Sequence, residues 1–270
     1  MMVDNTFFLA FGLTMIAGLA TGVGSLIALI AKRTNTKFLC VSLGFSAGVM
    51  IYVSFMDILP LAKEELTIHL GDKTGMMSLI LAFFGGMGLI TMIDFLIPKP
   101  NNPHELKSLE EMNKSNGREK ALYRTGIIMA LTLVAHNFPE GVATFTSAIS
   151  GGLSIAIPIT IAIALHNIPE GIAVSVPIYH ATGSRRKAFW MSLLSGLTEP
   201  LGAVLAYLFL MPFWSPLVNG IVLAAVAGIM VYISLDELLP TAEKYGEHHI
   251  SISGLIAGMM IMALSLFLFI

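Results

Sequence analysis

The sequence is short of charge and almost free of cysteine. Asp, Glu, Lys and Arg make up 12% of its 270 residues, hydrophobic residues 56%, and the mean hydropathy is +0.82. That balance excludes an ordinary water-soluble domain and makes the chain a polytopic membrane protein. The single cysteine, Cys40, excludes an intrachain disulfide and any thiolate cluster within one chain. If the chain binds a metal, nitrogen and oxygen are the main ligands left. Fifteen basic residues stand against seventeen acidic ones, and no nucleic-acid partner is expected. Met1 to Thr6 lacks the positive flank of a secretory signal, and the apolar run behind it is longer than a signal core, so it is read as a retained first span.

Crossing a hydrocarbon core of about 30 Å takes about 20 apolar residues as a helix. Windows of that length predict an all-α protein of eight transmembrane helices: Phe7 to Ala31, Phe38 to Leu61, Met76 to Ile97, Thr125 to Ala148, Leu153 to Ile178, Ala188 to Leu210, Leu217 to Leu239 and Ile250 to Ile270. Residues 1–270 read as one transmembrane domain, with 98–124 as a cytoplasmic loop between spans three and four. His104 in that loop reads as part of a solvated linker.

Basic residues set the orientation, because short Lys- and Arg-rich connections stay in the cytoplasm. Lys32, Arg33 and Lys37 follow span one, six basic residues surround the long loop, Arg185 to Lys187 follow span five, and Lys244 follows span seven. Only Lys63 and Lys73 fall on the other side. The expectation is a multi-pass protein of the cytoplasmic membrane with both termini outside.

Two polar hexapeptides interrupt the central apolar helices: His136-Asn137-Phe138-Pro139-Glu140-Gly141 and His166-Asn167-Ile168-Pro169-Glu170-Gly171. Imidazoles and carboxylates are costly in hydrocarbon and mark function there. His and Glu four apart project from one helix face. The prolines supply no N–H and crowd the preceding turn, which predicts a bend and a freed carbonyl at the level of the ligands. At about 1.5 Å per residue, His136 lies roughly 17 Å into span four and His166 roughly 20 Å into span five, both near mid-bilayer. Glu199 is about as deep in span six. Three carboxylates at one level repel one another, so protons or a divalent cation must balance them. Two ions bridged by Glu140 and Glu170 would leave the cluster near neutral. Histidine with carboxylate suits Zn²⁺, Fe²⁺, Mn²⁺, Co²⁺ or Cd²⁺.

A second repeat is longer. Ala47 to Pro60 aligns without gaps on Ala227 to Pro240, and these lie in spans two and seven, which run in opposite directions in the charge-derived arrangement. The expected architecture is therefore an inverted repeat, 3+2+3, with spans four and five as the central pair. Such repeats place substrate sites near the midplane, on helices interrupted by Pro or Gly.

With its paired HNxPEG motifs on adjacent central spans, the chain resembles the ZIP family of zinc and iron transporters, and within it the ZupT-like bacterial branch. The resemblance implies import of a divalent metal cation, zinc first, as the transported substrate. It implies one metal site from His136, Glu140, His166 and Glu170, and a neighbouring one from Asn137, Glu140, Asn167, Glu170 and Glu199.

Other polar residues are weighed against plainer roles. Asp57 near the outer end of span two, and Asp236 with Glu237 near the inner end of span seven, are read either as ion guides or as interfacial caps. His248 and His249, with Glu243 and Glu247, are candidates to receive an ion leaving inward. Asp94, His69 and His180 read as interfacial or solvent-exposed. The expected partners are metal ions and the lipid bilayer, and a homodimer is left open. A rival reading is an intramembrane metal-dependent hydrolase, but H-E-x-x-H is missing and Asn occupies the place of the general base. A channel or an exporter is the nearer alternative.

Overall fold

The computed structural model describes residues 5–30, 36–96 and 118–268, with side chains left out for a few of these, the whole of 118–136 among them. The loop expected over 98–124 therefore lies mostly outside the described residues, as do the side chains of His136, Asp94 and His180.

Among the described residues the protein is entirely helical. Helix α1 is Asn5–Ile30 and α2 is Thr36–Val53; a π-helical turn, Ser54–Ile58, joins α2 to α3, Leu59–Leu70. Helix α4 is Asp72–Leu96. Helix α5, Arg118–Thr182, carries one non-helical residue, Gly152 (φ 68°, ψ −166°), which divides it into two limbs. Then come α6, Arg185–Gly196, and α7, Thr198–Leu205, continued by a π turn at Ala206–Leu210. Helix α8 is Pro216–Ile233; a π turn at Ser234–Leu238 leads to α9, Leu239–Tyr245, and α10, His248–Leu268, ends the chain. Seven of the resulting rods are long and apolar enough to cross a membrane. The residues expected as the fourth span, Thr125 to Ala148, fall in the first limb of α5.

Two rods are longer than the sequence reading makes them. Spans two and seven, expected to end at Leu61 and Leu239, run on to Leu70 and Tyr245. The cause is the π turn before each Leu-Pro pair. A proline inside an α-helix leaves a carbonyl unbonded and its ring collides with the preceding turn. Here the widened turn carries the Leu59 N–H to Ser54 O and the Leu239 N–H to Ser234 O, and Pro60 and Pro240 enter in the first turn of the next α-helix, where a missing N–H costs little. Asp57 and the Asp236-Glu237 pair thus lie in the π turns inside continuous helices.

The rods pack as two groups. One holds α1, both limbs of α5, α6 and α7; the other holds α2 with α3, α4, α8 with α9, and α10. Large apolar side chains stay exposed along α4 and α10, including Phe84, Phe95 and Phe267. Faces of that kind need lipid or another apolar cover.

Glycines set the closeness of packing, and their contacts recur in matched pairs. A Cβ on Gly48 would lie 2.0 Å from Leu255 O, and one on Gly228, its partner in the sequence repeat, 2.0 Å from Phe83 O. Three residues beyond Leu255 and Phe83, a Cβ on Gly258 or Gly86 would lie 2.1 Å from Phe45 O or 2.0 Å from Ala225 O. A Cβ on Gly18 would lie 2.5 Å from Gly196 O, and one on Gly196 2.3 Å from Gly18 O. Backbone-to-backbone approach of this kind is how helices gain dispersion energy where lipid offers no hydrophobic drive.

Candidate metal centre

The two limbs of α5 meet at their polar hexapeptides. Both prolines sit in backbone that stays helical, Gly152 being the one non-helical residue of α5. Asn137 and Glu140 of the first limb are buried to 0% and 1% exposure, and His166, Asn167 and Glu170 of the second to 0%, 0% and 1%. Glu199, in the first turn of α7, is at 0%.

His166 Nε2 lies 3.2 Å from Glu140 Oε1, so the imidazole of one limb faces the carboxylate of the other. Asn167 Nδ2 donates to Glu199 Oε1 at 2.5 Å and to Ala17 O at 2.9 Å. Asn137 Nδ2 donates in the same manner to Ser195 O at 3.2 Å. Each amide thereby pins its limb to a neighbouring helix by its nitrogen and keeps its oxygen for something else. The oxygens of Asn137 and Asn167, Glu140 Oε2 and Glu199 Oε2 are buried with no hydrogen-bond donor among the described residues. Buried acceptors left this way are destabilising unless a cation or water meets them.

Glycines and serines let the limbs come this close. A Cβ on Gly141 would stand 2.0 Å from Glu199 O, and one on Gly171 1.9 Å from Thr21 O. Ser46 Oγ donates to His166 O at 3.2 Å and Ser192 Oγ to Gly171 O at 3.1 Å, fixing the proline-weakened segment from α2 and α6. These serines escaped the sequence reading; their only signal is that they are small polar residues in apolar helices.

Electrostatics favour a positive ion. Glu140 and Glu170 are each close enough to Glu199 to repel it, and among the described residues no Lys or Arg is buried. Buried charge without a partner is strongly unfavourable, so a cation or protons must complete the cluster. Among the described residues no three His, Cys, Asp or Glu side chains by themselves form a ready metal cage. The pairing of His166 with Glu140, and of Asn167 with Glu199, is the part of the expected cluster that the fold brings together.

The remaining candidates lie elsewhere. Asp57 is half-buried, Glu237 buried and Asp236 exposed. His248 and His249 are exposed at the start of α10; His248 Nδ1 is 2.6 Å from Glu243 Oε1 and the two imidazoles are 5.6 Å apart.

A family model described as the ZIP zinc transporter matches residues 98–266. The chain belongs to this family. Among its curated relatives, the zinc transporter ZupT of Clostridium perfringens is 56% identical, the match covering 98% of each chain. The proteins of that name from Oceanobacillus iheyensis and Streptococcus mutans are 60% and 59% identical, with coverage of 97% or more on both sides. As a ZIP-family member the chain is a transporter rather than an enzyme, which removes the hydrolase reading.

Proposed function

We propose that this ZIP-family protein carries divalent metal cations, zinc first, into the cytoplasm through a centre made by His136, Asn137, Glu140, His166, Asn167, Glu170 and Glu199. The observation that carries the proposal is the His166–Glu140 contact, buried with the acids Glu170 and Glu199 and with acceptor oxygens that lack donors. An imidazole with carboxylate and amide oxygens suits Zn²⁺ and accommodates Fe²⁺, Mn²⁺, Co²⁺ and Cd²⁺. Two ions bridged by Glu140 and Glu170 neutralise the acids. The naming of its relatives as zinc transporters supports zinc as the substrate.

The topology proposed with it is eight spans in the cytoplasmic membrane, both termini outside, spans one to three inverted onto six to eight. The matched glycine contacts, the twin π turns before Pro60 and Pro240, and the equivalent Asn137 and Asn167 bonds support that symmetry. The group of α1, α5, α6 and α7 holds all the proposed ligands and moves against the other group, opening the centre to one side and then the other. An arriving ion displaces protons from the acids. Asp57 serves the outer approach, and Glu237, Asp236, His248 and His249 the inner one. The apolar faces of α4 and α10 meet lipid or a second copy of the chain.

Uptake of zinc isotope into proteoliposomes tests this. The wild-type protein saturates with zinc, and Glu140→Ala and His166→Ala lose uptake. Wild-type flux in both variants overturns the assignment, and flux that never saturates favours a channel.

A further inference from the structure

Two buried hydroxyls continue the metal-facing stripe of the first limb of α5. Thr144 and Ser147 follow Glu140 by four and seven residues, and at a helical repeat of 3.6 they fall on the face that carries Glu140. They stand about 6 and 10 Å along the axis from it. Both are at 0% exposure, and neither Thr144 Oγ1 nor Ser147 Oγ has a hydrogen-bond partner among the described residues.

Thr21, Ser25, Ser54 and Ser251 on other helices are also buried hydroxyls without a partner among the described residues, while several more are satisfied on their own helix. Thr14, Thr160 and Ser234 donate to the carbonyl four residues back, and Thr146 to the one three back. Satisfying itself on its own helix is the ordinary fate of such a group in an apolar setting. Thr144 and Ser147 keep their oxygens unspent. The matching positions of the second limb, counted from Glu170, are Val174 and Pro177, which offer no side-chain oxygen. The two limbs of α5 are therefore chemically unlike at these positions.

We propose that Thr144 and Ser147 form a further cation-binding step, in which hydroxyl oxygens replace part of the hydration shell of a divalent ion before it reaches Glu140. The inference rests on the transport reading, and in its topology this step faces the outside. A hydrated cation entering an apolar bundle must exchange water for protein oxygen in stages. Neutral hydroxyls hold an ion without trapping it, whereas carboxylates alone would not release it as readily. Because hydroxyl oxygen is a hard ligand, the step favours Mn²⁺ over the softer Cd²⁺.

The test is competitive uptake of Mn²⁺ and Cd²⁺ into proteoliposomes by the full-length wild type, Thr144→Val, Thr144→Ser and Ser147→Ala. The ratio of the two fluxes is independent of how much protein folds. Thr144→Val and Ser147→Ala are expected to lower the Mn²⁺/Cd²⁺ ratio by roughly five-fold each, the scale of one lost polar interaction, and Thr144→Ser to keep it. Unchanged ratios in Thr144→Val and Ser147→Ala overturn the proposal. If Glu140→Ala retains wild-type flux in the same assay, the transport reading itself fails; loss in Glu140→Ala with unchanged ratios in the hydroxyl variants condemns only the hydroxyl step.

Discussion

Replacing Gly171 by alanine adds one carbon atom at one of the two tightest helix contacts beside the centre. The new Cβ would lie 1.9 Å from Thr21 O. Backbone cannot swing aside as a flexible side chain can, so α1 and the second limb of α5 must part by about 1.5 Å to restore ordinary contact at 3.4 Å. The Asn167 Nδ2 bond to Ala17 O, 2.9 Å long, spans the same two helices and stretches beyond hydrogen-bonding range. Asn167 then loses one of the two acceptors that aim its oxygen, and its hold on Glu199 slackens. Overpacking costs about 1–3 kcal/mol, and a ligand misplaced by about 1 Å costs on the order of 100-fold in function. The expected result is a lower melting temperature in detergent and at least about ten-fold weaker zinc uptake. Gly85→Ala and Gly88→Ala are matched controls, since a Cβ at either position meets nothing within 4 Å, and both should behave as wild type. A Gly171→Ala protein with unaltered zinc affinity, uptake and melting would show that the close approach does not position the centre.

Three further outcomes follow from the same geometry. Asn167→Ala removes donors to both Glu199 and Ala17 O, so zinc affinity by titration calorimetry should fall by about ten-fold or more; Asn167→Asp, which puts a fourth acid beside Glu199, should not restore it. Asn219 donates to both oxygens of Glu65 at 2.7 and 2.8 Å and ties α8 to α3 away from the centre; Asn219→Ala should cost about 1–3 kcal/mol in thermal or denaturant unfolding and leave the zinc half-saturation of uptake unchanged. Gly152 has φ 68° where α5 turns back on itself; Gly152→Ala should destabilise by about 1 kcal/mol or more, read as a lower melting temperature.

The twin hexapeptides carry most of what can be read from the chain alone, because a polar residue in an apolar helix is conspicuous and its period puts His and Glu on one face. The helical class and most span positions follow from hydropathy for the same reason. The continuation of two rods beyond Leu61 and Leu239 was not legible, because only backbone geometry reveals the π turns that absorb Pro60 and Pro240. Asp57, Asp236 and Glu237 fall within those π turns. Ser46 and Ser192 were invisible because their partners are backbone carbonyls on other helices, which no linear pattern encodes. The mutual contact of Gly18 and Gly196 was hidden likewise, although both glycines are plain in the sequence. The division into two helix groups depends on which faces touch, and small residues in every rod leave that undecided in one dimension.

The most direct test of the central claim is anomalous diffraction at the zinc absorption edge from crystals of the full chain soaked in zinc. The account predicts anomalous density between the two limbs of α5, within bonding distance of His166 and Glu140, and its loss in Glu140→Ala. Zinc density confined to His248, His249 and the surface, with none between the limbs at saturating metal, would contradict it.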